Sequence, residues 1–240
     1  PEGPPFESKD GRLAPQPELR SAFAGMVSRI DRYTGQILAL LKDLNLDGDT
    51  IVFFTSDNGG IRASENFFLS TGPYRGNKGN LYEGGLRVPM VVRWPGKVPA
   101  GKVSSFPWAF HDFLPTAAEL ARATQVPDCD GMSVLPTLRG GNQKPHPELY
   151  WELPRYDRKT GSFAKEIPMQ AMRREHWKAV RPKGGGEVEL YDLKSDPGET
   201  RDLARRNPRL TADLDRAMRA ARTEPRVQTE PAHPWWEARS

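Results

Sequence analysis

The strictest constraint on this chain is the spacing of apolar residues between Glu18 and Leu44. Leu19, Phe23, Met26, Ile30, Ile37, Leu41 and Leu44 recur at steps of three, four and seven. That is the period of a helix apolar along one face. Pro17 suits its first turn and Asn45 its C-terminal stop. A fully helical segment of this length runs roughly 40 Å. Such a helix needs a large partner surface, most simply a sheet.

Strand signals follow. After the acidic turn Asp47-Gly48-Asp49, the run Thr50-Ile51-Val52-Phe53-Phe54-Thr55 is continuously β-branched and aromatic, as expected of a central strand buried on both faces. It stops at Ser56-Asp57-Asn58-Gly59-Gly60. Helix, strand, then polar residues at the strand's carboxyl end is α/β grammar, and ligands of such sheets bind there. Leu86 to Trp94 reads as a second buried strand closed by Pro95-Gly96, and Asp112 to Ala123 as a helix with Asp112 as N-cap and Pro115 in its first turn. From about Pro136 the texture changes to short strands at Tyr150–Leu153, Gln170–Val180 and Val188–Leu193, separated by Gly and Pro turns. A charged helix follows, from Pro208 to Arg222, with Leu210, Leu214 and Met218 at steps of four. This predicts an α/β portion over residues 1–135 and a small α+β subdomain with its tail over 136–240. Trp235 and Trp236 suggest a docked tail.

At 240 residues the chain has room for one large domain, or one domain and an appendage. No run approaches the ~18 apolar residues of a membrane span, so no membrane partner is expected. Pro1 to Pro17 has no apolar core of a signal peptide, and there is no initiator Met. The expectation is a chain that begins inside a longer protein, whose targeting cannot be read from it. A lone cysteine, Cys129, excludes an intrachain disulfide and a multi-cysteine zinc site. The net charge of +4 suits anionic partners. The Arg-rich stretch from Arg201 to Arg226 interleaves Asp202, Asp213, Asp215 and Glu224, so mixed-sign solvation accounts for it and nucleic acid is not the expected partner.

Two constellations carry chemistry. Asp57-Asn58 at a strand end offers a carboxylate and an amide carbonyl, the hard oxygen donors that Ca²⁺ and Mg²⁺ take; Asn-Gly is equally a common turn. Lys78, in Arg75-Gly76-Asn77-Lys78-Gly79-Asn80-Leu81-Tyr82-Glu83-Gly84-Gly85-Leu86-Arg87-Val88-Pro89, is flanked by glycines. It can bring an ammonium and neighbouring N–H groups to an anion, or be one charge of a solvated loop.

In this order the two segments resemble the second half of a sulfatase. Phe-Thr-Ser-Asp-Asn-Gly follows a hydrophobic strand, then comes Lys-Gly-x-Leu-Tyr-Glu-Gly-Gly-x-Arg-Val-Pro, then a strand ending Trp-Pro-Gly. The resemblance continues through Asp112-Phe113-Leu114-Pro115-Thr116, Asp130 to Pro136, Leu138-Arg139-Gly140, Trp177-Lys178, Glu189 to Leu193 and Asp196-Pro197-Gly198-Glu199. It implies an alkaline-phosphatase-like α/β sandwich, present in part, with a small C-terminal α+β subdomain built on an antiparallel sheet. It implies hydrolysis of a sulfate ester on a sulfated small molecule or glycan, with Ca²⁺ (or Mg²⁺) as cofactor. Asp57 and Asn58 match the metal ligands, and Lys78 matches the sulfate-contacting catalytic lysine. Glu83, Gly84, Gly85, Arg87 and Pro89 are expected to shape the loop.

The family's nucleophile is a formylglycine made from Cys or Ser in the pattern Cys/Ser-x-Pro/Ala-x-Arg. Neither Cys129-Asp130-Gly131-Met132-Ser133 nor Ser8-Lys9-Asp10-Gly11-Arg12 fits that pattern. The formylglycine is therefore expected in an N-terminal half outside this chain, and the chain alone is expected to be inactive. His111, His146, His176 and His233 lie outside the motifs, and His111 reads as structural. The resemblance implies an extracytoplasmic setting, periplasmic or secreted. Two other readings stand beside it: a non-catalytic basic module for anionic glycans or nucleic acid, and a phosphate-ester hydrolase of the same superfamily.

Overall fold

The structure, a computed structural model, describes residues 8–9, 12–13, 18–61, 67–126, 128–157, 162–163 and 167–223. Pro17, Trp235 and Trp236, and the tail from Glu224, lie outside these. The elements are β1 (Ser8–Lys9), β2 (Arg12–Leu13), α1 (Leu19–Asp43), β3 (Val52–Thr55), α2 (Glu83–Leu86), β4 (Met90–Arg93), α3 (Phe113–Leu120), α4 (Leu135–Leu138), β5 (Leu149–Leu153), β6 (Tyr156–Asp157), β7 (Ser162–Phe163), β8 (Met169–Arg174), β9 (Trp177–Arg181), β10 (Glu189–Asp192) and α5 (Pro208–Ala221). The pairs β1–β2 and β6–β7 are two-residue ladders.

Helix α1 ends as its sequence predicts. Asn45 takes a left-handed φ of 56°, which asparagine tolerates better than most residues. The expected sheet against its apolar stripe is not found among the described residues. Met26, Ile30, Ile37 and Leu44 are all exposed, Ile30 at 54% and Ile37 at 57%. Phe23 alone of that stripe stacks on an aromatic ring, Phe68, at 4.8 Å. The periodicity recorded which face is apolar but not what covers it.

Strand β3 also differs from expectation. Among the described residues it pairs only with β4, antiparallel, with Phe53 opposite Val92 and Phe54 opposite Val91. Successive side chains point to opposite faces. Phe53 turns inward, edge-on to Phe113 at 5.4 Å and near Trp108 at 6.4 Å. Phe54 and Val91 share the other face and are exposed, Val91 at 59%. The run is apolar on both sides, yet one side is covered. The turn before β3 is clasped to the end of β4: Arg93 donates to both Asp47 carboxylate oxygens, at 2.5 and 2.9 Å, and the Trp94 indole donates to Gly48 O at 2.8 Å.

The C-terminal half builds a four-stranded antiparallel sheet in the order β10-β9-β8-β5. The segment Gln170–Val180 resolves into two strands turning at Glu175, whose φ is 52°. Period-two alternation sends Met172, Ala179 and Leu190 to one face, where Leu214 and Met218 of α5 cover them. Ala171, Val180 and Tyr191 go to the other face, where Leu81, Tyr82 and Leu86 cover them. All of these strand residues are essentially inaccessible to solvent. The Tyr-Glu-Gly-Gly segment thus forms a layer of the C-terminal core rather than a free loop.

Helix α3 begins at Phe113, after a short 3-10 turn at Phe110–Asp112. Asp112 was expected to cap it, but its carboxylate makes no cap hydrogen bond to the helix. Asp112 is fully buried, and its oxygens accept the N–H groups of Ala109 and Met132, each at 2.9 Å. This joins the helix entry to the segment leading into α4. Thr116 extends the tie by donating to Asp112 O and accepting the Val134 N–H.

Candidate functional site

Residues 57–60 and 75–87 are interlocked through their main chains. The Gly59 N–H donates to Gly85 O at 2.9 Å, the Lys78 N–H to Gly60 O at 2.9 Å, and the Gly84 N–H to Arg75 O at 2.7 Å. A methyl group at Gly59 would sit 2.0 Å from Gly84 O, and one at Gly84 2.5 Å from Gly76 O. Real Cβ atoms do not approach that closely, so glycine is required here for contact rather than for φ. The Asn-Gly-Gly and Glu-Gly-Gly pairs are therefore more than turn signals: they let two backbones touch.

This interlock brings the three sequence-predicted site residues into adjoining loops. Asp57 is exposed, and its carboxylate has no hydrogen bond or ion pair with a described residue. Asn58 is half-buried, and its amide nitrogen donates to Gly59 O at 3.2 Å. Its side-chain carbonyl oxygen accepts no hydrogen bond from a described residue. A carboxylate oxygen and an amide carbonyl on successive residues suit a hard divalent cation; two residues supply a minority of the roughly six to eight oxygens that Ca²⁺ takes. Lys78 is exposed on a turn shaped by Gly76 (φ 82°) and Gly79 (φ 94°), and its amine makes no ion pair with a described residue.

Charge is concentrated immediately beneath the lysine loop. Lys178 of β9 is 0% exposed, with its ammonium 2.8 Å from Glu83 Oε1 and 2.8 Å from Glu199 Oε1. Glu83 Oε2 accepts from Arg87 Nε at 2.7 Å, and Glu199 Oε2 accepts the Glu83 N–H at 2.6 Å. Burial works to raise the Glu83 carboxyl, but Lys178 and Arg87 together outweigh it and hold the group below the ordinary range. At Glu199 burial dominates, and its carboxyl stands above that range despite Lys178. Arg75 lies on the Tyr82 ring, 3.9 Å from its centroid, and donates to the Tyr191 hydroxyl at 2.6 Å and to Glu199 O at 3.2 Å. The Tyr82 and Tyr191 hydroxyls both donate to Glu189 Oε2, at 2.6 and 2.7 Å; burial first, then this carboxylate, raises both phenols.

Glu83 and Arg87 thus hold the loop from below, as their place in the motif suggested. Lys178 and Glu199 carry no function in the sequence reading. The available signal was a lysine inside the apolar strand Trp177-Lys178-Ala179-Val180, since a buried ammonium requires carboxylate partners.

Elsewhere, His111, Asp112 and His146 place three metal-type donor atoms within 4.8 Å of one another. Both Asp112 oxygens already accept backbone N–H groups, and His146 Nε2 lies 2.9 Å from Oδ2. Asp112 and His146 thus form a structural tie, while His111 stands 3.7 Å from Asp112 Oδ1 and is partly exposed. Cys129 is exposed, with its thiol directed at Gly131 O at 3.9 Å.

Two family descriptions match the chain: "Sulfatase" over residues 3–123, and "N-sulphoglucosamine sulphohydrolase, C-terminal" over residues 76–224. A sulfatase of Formosa agariphila is 34% identical over 208 residues, covering 80% of this chain and 37% of the relative. The steryl-sulfatase of Mus musculus is 32% identical over 264 residues, covering 91% and 40%. Among solved structures, Ps i-CgsB superposes with a TM-score of 0.72 at 31% identity, covering 90% of this chain and 47% of that one. The phosphonate monoester hydrolase of Agrobacterium radiobacter gives 0.64 at 26%, covering 84% and 40%. The chain therefore spans less than half the length of each of these proteins.

Proposed function

The chain belongs to the sulfatase family and has the alkaline-phosphatase-like fold over the part it spans, and from that premise we propose that it supplies one side of a sulfuric-ester hydrolase site. Asp57 and Asn58 hold a divalent cation, Ca²⁺ by preference, and Lys78 binds the sulfate group. The observation that carries this reading is the main-chain interlock, Gly59 to Gly85 and Lys78 to Gly60, which sets the acid–amide pair and the ammonium on adjoining loops.

Charge builds on the sulfuryl and leaving-group oxygens as the ester bond breaks. An ammonium fixed beside those oxygens beforehand stabilises that charge without reorganising at the moment of reaction. The cation, when bound, supplies further positive charge to the same oxygens. Asp57 contributes the anionic ligand that retains the cation, and Asn58 a neutral one. The formylglycine nucleophile comes, on this reading, from sequence outside residues 1–240, and the chain alone has no turnover.

The substrate is a sulfated small molecule or glycan. In support of a glycan, Ps i-CgsB has been solved with k-i-k-neocarrahexaose. Membership of the sulfatase family supports an extracytoplasmic setting. No helix among the described residues is long and apolar enough to cross a membrane.

Nitrophenyl sulfate tests the assignment. The isolated chain should not hydrolyse it, and robust turnover would overturn the divided site. In an enzyme completed by the missing half, Asp57→Ala and Lys78→Ala should each lower kcat/KM by at least ~100-fold. Near-normal kinetics in either variant would remove its role. A phosphonate-ester reading has one specific support, the Agrobacterium radiobacter neighbour. Nitrophenyl phenylphosphonate turned over faster than the sulfate by the completed enzyme would favour that reading.

A further inference from the structure

We infer that Lys178 and Glu199, neither of which reaches solvent, are positioning residues that fix the Lys78 loop from the C-terminal sheet. The inference takes its catalytic meaning from the role proposed for Lys78, while its structural content stands independently of that role.

Four groups of residues 75–87 are gripped from below. Arg75 is held by the Tyr191 hydroxyl and Glu199 O. Tyr82 is held by Glu189, the Glu83 carboxylate by Lys178, and the Glu83 N–H by Glu199. Every one of those partners lies in β9, in β10 or in the turn after it. Lys78 sits between the Arg75 and Tyr82 anchors, on glycine turns that do not by themselves select one conformation.

Two features separate this cluster from ordinary surface pairing. Lys178 is fully buried between two carboxylates and is the one cation among the described residues that pairs with Glu199, while Glu83 is shared with Arg87. Removing one partner from such a buried set leaves an uncompensated charge. In addition, Glu199 has a left-handed φ of 52°, a conformation a non-glycine side chain adopts at a cost. The turn Asp196-Pro197-Gly198-Glu199 accepts that strain and delivers the Glu199 carboxylate to the Glu83 N–H. That N–H opens α2, whose Gly84 and Gly85 make the interlock with Gly59. Disturbance at Lys178 is therefore transmitted through Glu83 to the contact that carries Lys78.

Amide hydrogen exchange in the full chain tests this, comparing the Gly59, Lys78 and Gly84 N–H groups with strand amides of β8 and β9. Lys178→Met should speed exchange of the three loop amides at least tenfold more than that of the strand amides. The double variant Lys178→Met with Glu199→Gln removes one cation and one anion, leaves Glu83 paired with Arg87, and retains an oxygen for the Glu83 N–H. It should recover most of the loop protection, which a purely packing role for Lys178 would not allow. Unchanged loop exchange in Lys178→Met, equal acceleration in loop and strands, or no recovery in the double variant would each overturn the inference. Lys78→Ala should leave the exchange pattern intact. Loss of the pattern in Lys78→Ala would contradict the proposed direction of coupling. Near-normal kcat/KM of Lys78→Ala in the completed enzyme would sink the functional reading and leave this result standing.

Discussion

The two ends of this molecule have similarly apolar sequences and opposite fates. The C-terminal sheet is covered on both faces, by α5 on one side and by residues 81–86 on the other, and its central side chains are sealed. Helix α1 and the β3–β4 pair are equally apolar, yet Ile30, Ile37, Phe54 and Val91 face outward. The difference lies in what is available to cover them, because hydrophobic stabilisation scales with area removed from water rather than with apolar residues present. Among the described residues, the exposed large apolar side chains run from Met26 to Val126, with Ile167 alone beyond them.

The comparison can be broken most directly at the sheet. Leu214→Ala, in contact with Met172 and Leu190, should cost about 2–5 kcal/mol in urea-denaturation stability. A loss below about 1 kcal/mol would mean that the second face is not sealed.

Gly84→Ala should follow at about 1–3 kcal/mol by the same measurement, because the added methyl meets the Gly76 and Arg75 carbonyls. Wild-type stability in this variant would show that the interlock can open without penalty.

A smaller effect concerns pH, where the two buried glutamates oppose each other. Glu83 has a lowered carboxyl, so its contribution is present above the ordinary value of 4.5 and is lost as pH falls through its folded value. Glu199 has a raised carboxyl: the folded state holds its proton more tightly, so its contribution is full below 4.5 and declines as pH rises towards the folded value. Glu199→Gln should therefore gain stability relative to wild type between pH 4 and pH 7. An unchanged difference across that range would refute the burial-driven shift.

Smallest of all should be Ile37→Ala on α1. It should change stability by less than about 0.5 kcal/mol, since nothing described covers that side chain. A loss comparable with Leu214→Ala would erase the contrast between the two regions.

Local grammar was legible in the sequence. The limits of α1 and α5 and the cap at Asn45 follow from periodicity and from turn residues, which act over a few positions, whereas Gln170–Val180 reads as one strand and is two, turning at Glu175. What the sequence could not convey was reciprocal coverage. Phe54 reads as buried because it is apolar, and only the fold shows that no described residue covers its face. Asp112 reads as a cap from its position, but its buried carboxylate serves Met132, twenty residues away. At the candidate site, Asp57, Asn58 and Lys78 came from the order of two motifs. Lys178 and Glu199 were hidden because their partner, Glu83, is about a hundred residues distant in the chain.

The glycine contact between residues 59 and 84 bears on how such a protein could be re-engineered. Where two loops meet without side chains, nothing at the seam can be trimmed, swapped or repacked to absorb a change. A mutational library on this fold would find latitude in the walls around the seam. At the seam itself nearly every variant should lose the contact, so diversity spent on positions 59, 60, 84 and 85 would be wasted.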